Sequence, residues 1–139
     1  MRAPREIVSR LFVILAVFGT FPGMLRSEES PEGVRFFEQK IRPLLAEHCY
    51  ECHSEQAGEQ QGGLLLDRQS GWLEGGHTNK AVIPGDPDAS LLLTAVRYEN
   101  TDLEMPPDGP LEDESIALLE QWIRRGAPGP ADDLGETQF

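Results

Sequence analysis

The chain has 139 residues, 24 of them acidic against 12 basic, and a formal net charge of −12. That length holds one domain and little more. So acidic a chain lacks the cations that phosphate contacts need, which excludes nucleic-acid binding and favours partners with a basic docking face.

The first 27 residues read as an export signal rather than as part of the domain. Arg2, Arg5 and Arg10 precede an almost unbroken apolar run from Leu11 to Leu25, interrupted by Thr20 and the Pro22-Gly23 pair. The run is shorter than the roughly 20 residues of a membrane span and matches a signal-peptide core. Cleavage after Ser27 would deliver the protein to the periplasm or another extracytoplasmic compartment. Left uncleaved, the same segment would anchor it to the membrane. The remainder keeps 8 basic and 23 acidic residues, a formal charge of −15.

A domain is expected over residues 33–128. Phe37, Ile41, Leu44, Leu45 and His48 recur at helical spacing, with Pro43 placed to kink or split the helix. Residues 58–63 read as a polar loop. The run Leu64-Leu65-Leu66-Asp67 follows, then a turn of helix around Trp72 and Leu73 that Gly75-Gly76 ends. Asp86 and Pro87 read as the cap and first position before a helix over Ser90 to Arg97, with Leu92, Leu93 and Val96 inward. Met105-Pro106-Pro107 lies in the next loop. The last helix opens on acids near Asp113, carries the stripe Ile116, Leu119, Trp122 and Ile123, and stops at Gly126 before Pro128. Residues 129–139 read as a disordered tail. With few strand-like segments, the domain is all-α. Its core is expected to hold Phe37, Leu44, Leu45, Leu92, Leu119, Trp122 and Ile123.

The only cysteines stand in Cys49-Tyr50-Glu51-Cys52-His53. This is the C-x-x-C-H pattern of covalent haem attachment. Two thiols a helical turn apart can each add to one vinyl group, and the adjacent imidazole then falls under the iron. Its second ring nitrogen should donate to a backbone carbonyl. A thioredoxin-like redox pair would need a βαβ setting, which is absent. A zinc site would need two further ligands. After residue 27 the one methionine is Met105, which makes it the candidate sixth ligand; a His/Met pair is an electron-transfer arrangement. His77 is the alternative, while His48 reads as a local packing residue. Trp72 is a core residue or a propionate donor, and Arg68, Lys80 and Arg97 are further propionate candidates.

Taken together these segments resemble small class I cytochromes c and, more closely, the planctomycete-type cytochrome c domain. The resemblance rests on Arg42-Pro43-Leu44-Leu45, the Cys49–His53 motif, Gly63 to Asp67, Gly75-Gly76, Val82-Ile83-Pro84-Gly85 and Ser90-Leu91-Leu92. It continues through Met105-Pro106-Pro107, Trp122-Ile123 and Gly126-Ala127-Pro128, and so spans about residues 36 to 128. It implies first and last helices crossed around one covalent haem c, with Cys49 and Cys52 as thioether anchors and His53 and Met105 as axial ligands. His77-Thr78-Asn79 departs from the small residues more usual after the glycine pair. Such domains usually open longer proteins, so a chain ending at Phe139 is a stand-alone or truncated version. The expected function is one-electron transfer by a carrier rather than an enzyme. A sensor or peroxidase-like haem with an open sixth position, or a docking module of a larger envelope enzyme, are the alternatives.

Overall fold

The computed structural model describes residues 30–57 and 60–132. The proposed signal segment 1–27 and residues 133–139 of the proposed tail lie outside them. The described residues form helices joined by turns and loops, with no strand among them.

Helix α1 (Pro31–Phe36) starts where Ser30 Oγ accepts from Gly33 N at 3.0 Å and Pro31 supplies a preset φ. It runs without a break through a π-helical turn (Phe37–Ile41) into α2 (Arg42–His48). Pro43 is the physical reason. It has no N–H to continue the α ladder, and just before it the Arg42 N–H reaches back five residues to Phe37 O. The expected kink or split is thus absorbed as one widened turn. Glu38 and Arg42 clasp across that turn in two hydrogen bonds of 2.6 and 2.8 Å.

A 3₁₀ turn (Gln61–Gly63) precedes α3 (Gln69–Glu74), which Gly75 ends at φ 83°. Helix α4 is Leu91–Val96. Asp86 does not cap it: its Oδ1 accepts from Ala89 N within a preceding turn. Ser90 takes the cap position, yet its buried hydroxyl donates to Asp86 O at 2.7 Å and accepts from Ile83 N at 2.9 Å. The helix start is therefore tied to residues 83–86. Helix α5 (Asp113–Arg124) ends as expected at Gly126. The N–H of Gly126 meets Ile123 O and that of Ala127 meets Trp122 O, which satisfies the last carbonyls.

All seven expected core residues are buried. The first helical segment meets the last through Phe37 and Trp122, whose ring centroids are 5.7 Å apart. Trp72 completes the cluster, 5.1 Å from Phe37 and edge-on to Trp122 at 5.2 Å.

Pro128 and residues 129–132, the first part of the expected tail, lie against this cluster. Trp122 Nε1 donates to Pro128 O at 2.8 Å. Pro128 crosses α1 at Gly33, where a Cβ would stand 2.7 Å from its ring. Asp132 then caps α3 from 63 residues away: its carboxylate accepts from Gln69 N at 2.7 Å and Ser70 N at 2.9 Å. The cap position of α3 itself, Arg68, has no capping side chain.

Asp132→Ala is expected to cost about 1 kcal/mol, the worth of a helix cap. Burial raises the Asp132 pKa, but the hydrogen bonds from Ser70 and Gln69 and the charge of Arg68 outweigh it, and the net shift is downward. A group with a lowered folded pKa stabilises fully above its unfolded value, about 3.9, and loses that contribution as pH falls through the folded one. Denaturant midpoints of the two proteins should differ at pH 7 and converge on acidification below about pH 4.

Candidate haem-attachment site

Helix α2 delivers the motif. Cys49 N and Tyr50 N both donate to Leu45 O, and the chain then turns so that Cys52 N and His53 N both donate to Cys49 O, at 3.2 and 2.9 Å. Ser54, buried at 6 % exposure, locks the turn: its hydroxyl donates to Tyr50 O at 2.6 Å and accepts from Ala57 N. The following segment is laced onto the motif. Gln61 N donates to Cys52 O, Leu66 N donates to His53 O at 2.8 Å, and Asp67 Oδ2 accepts from Glu55 N. Sequence reasoning missed Ser54 and Asp67 as supports. A serine four residues after Tyr50 was a readable signal; the Asp67 contact, twelve residues away, was not.

This turn opens onto a cavity of about 360 Å³. Cys49, Cys52 and His53 line it, with Leu64, Leu66, Leu92 and Val96 as apolar wall and Met105-Pro106-Pro107 from the loop before α5. Four candidate residues named from the sequence therefore converge on one space, and His77 joins them. The His77 N–H bonds Gly62 O at 2.8 Å, and its ring lies so close over Gly63 that a Cβ there would stand 2.6 Å from Nε2. Gly63, at φ 68°, is the residue that permits this approach. His48, read as a local packing residue, also lines the cavity.

The Met105 loop is fastened to α4. Met105 N donates to Ala95 O at 3.2 Å, and the Tyr98 hydroxyl donates to Pro106 O. Leu103 N and Asp102 N close on the backbone and side-chain oxygens of Asn100.

Two expectations are corrected. The Nδ1 of His53 is buried but has no backbone carbonyl as partner. The carbonyls of Cys49, Cys52 and His53 accept instead from N–H groups of the turn and of residues 61 and 66. None of the propionate candidates lines the cavity, and Trp72 takes its other expected place, in the core. Trp72 is locked in the aromatic cluster, Arg68 pairs with Glu55 at 2.5 Å, Arg97 pairs with Glu120 at 2.7 Å, and none of these lines the cavity. Lys80 does not line it either. The polar groups that do, besides His53, are His48, Gln61, His77, Thr78 and Asn79, with Glu51 and Asp108.

The thiols are free, and burial pushes the Cys49 pKa up to about 11. A redox pair works through a lowered thiol, so this environment argues against a thioredoxin-like role. It suits a thiol held neutral inside an apolar pocket. An apolar cavity bounded by both thiols, an imidazole with a buried unpaired nitrogen, and a thioether fits a haem and its two axial ligands.

A small helical domain built around such a Cys-x-x-Cys-His cavity has the make-up of a c-type cytochrome. Residues 49–109 match the family model described as Planctomycete cytochrome C. The match is narrower than the span of about 36 to 128 over which the sequence motifs resemble the family. No curated protein and no solved structure matches the chain.

Proposed function

We propose that this protein is an exported mono-haem c-type cytochrome that transfers single electrons. In this reading Cys49 and Cys52 hold the haem by thioether bonds, and His53 and Met105 are its axial ligands. The observation that carries it is the convergence of both cysteines, His53 and Met105 on one cavity, from segments more than 50 residues apart in sequence. Family membership supports an electron carrier over an enzyme.

Bound haem c supplies the Fe(III)/Fe(II) couple. The chain's own residues do the rest. Leu64, Leu66, Leu92 and Val96 exclude water, the motif turn fixes His53, and the α4 anchors hold Met105 in place. No side chain needs to move a proton. The Met105 loop carries the acids Glu99, Asp102, Glu104 and Asp108, the last of them lining the cavity, and this local negative charge supports a redox partner with a basic face. The leader-like segment 1–27 supports an extracytoplasmic location, in the periplasm or tethered to the membrane.

The test is carbon monoxide binding to the reduced, matured protein. Met105 ligation predicts no binding in the wild type and ready binding in Met105→Ala. Binding by the wild type would favour a sensor or peroxidase-like site. Refusal by both proteins would move the sixth ligand to His77.

A further inference from the structure

We infer that Tyr98 is a positioning residue for the sixth ligand: it holds the Met105–Pro106 segment in place from the end of α4. The inference rests on the proposed ligation by Met105. Helix α4 ends at Val96, Arg97 follows, and Tyr98 stands at φ 56°. Few side chains with a Cβ adopt that left-handed backbone, and glycine is the usual residue just past a helix end. A tyrosine there carries conformational strain, and such strain concentrates where surrounding contacts enforce it. Here the enforcing contact is visible. The turn places the ring so that its hydroxyl donates to Pro106 O.

The same turn grips the loop a second time. Ala95 O accepts from Tyr98 N at 3.2 Å and from Met105 N at 3.2 Å. Residues 95–98 therefore hold the N–H of Met105 on one side and the carbonyl of Pro106 on the other. The Met105 side chain projects from between these two anchors, and Met105 lines the cavity that Tyr98 does not reach. Tyr98 acts only through the backbone of its neighbours. It sets how firmly Met105 is held against a competing ligand.

Imidazole titration of the ferric, matured, full-length protein tests this. Tyr98→Phe removes one neutral hydrogen bond from the loop. Imidazole, which must displace Met105, should then bind about tenfold tighter. The far-red iron–sulfur band should weaken. In a Met105→Ala background nothing remains to displace, so Tyr98→Phe should leave imidazole affinity unchanged. Tyr98→Asn, which suits the left-handed backbone but loses the phenol, should also bind imidazole more tightly, separating the hydrogen bond from the strain. Unchanged affinity in both Tyr98 variants, or an equal change with and without Met105, would overturn the assignment. A wild type that already binds imidazole as tightly as Met105→Ala would overturn the ligation reading, and this role with it.

Discussion

The double variant Cys49→Ser, Cys52→Ser should lose its haem completely on extraction with acidified organic solvent, whereas the wild type should retain all of it. The serine hydroxyls preserve the shape of the turn, because its hydrogen bonds run through the backbones of Leu45, Cys49, Cys52 and His53 rather than through the thiols. What they remove is the nucleophile. Each single variant should keep one thioether and resist extraction. The intact mass of the wild type should exceed that of the bare chain by one haem, and that of the double variant should not after extraction. Equal retention by the double variant would mean that the motif is not the point of attachment.

Trp122→Ala should cost 3–5 kcal/mol of stability, the range for deleting a buried tryptophan. Trp122 is fully buried, meets Phe37 and Trp72, and donates its indole N–H to Pro128 O. Its loss opens a void between the first and last helices, leaves a carbonyl without its donor, and frees the segment that carries Asp132 to the end of α3. Small domains are stable by only about 5–15 kcal/mol, so this one change removes a large part of the margin. Trp122→Phe keeps most of the ring packing and loses the hydrogen bond, for a smaller loss of about 1–2 kcal/mol. Denaturant titration of the matured proteins checks both. A Trp122→Ala protein within about 1 kcal/mol of wild type would show that the cluster does not hold the helices together.

The parts legible in the sequence are those written locally. Helical spacing named Phe37, Leu44, Leu45, Leu119, Trp122 and Ile123, and all are buried. Cys49 to His53 is a contiguous motif, and Met105 stood out as the one methionine after the leader-like segment. The parts that were not legible depend on partners far along the chain. Asp132 looked like solvated tail because its use is the N-terminus of α3. Arg97 was read as a propionate candidate because Glu120, 23 residues on, is close only after folding. Ser90 was read as the first residue of a helix announced by Asp86 and Pro87, yet it stands at the cap position and its hydroxyl fixes the helix start by bonding back to residues 83 and 86. Tyr98 carried no signal at all, since a left-handed tyrosine is decided by the loop it grips. The orphaned Nδ1 of His53 follows from the same principle. A turn's own N–H groups compete for the carbonyls that a ligand histidine would use.

His53/Met105 ligation is read from the far-red absorption of the ferric protein, matured with its covalent haem, recorded beside Met105→Ala. The wild type should show a weak iron–sulfur band that the variant lacks, with sharp low-spin bands on reduction of the wild type. A wild-type spectrum without that band, or one unchanged by Met105→Ala, would contradict His53/Met105 ligation.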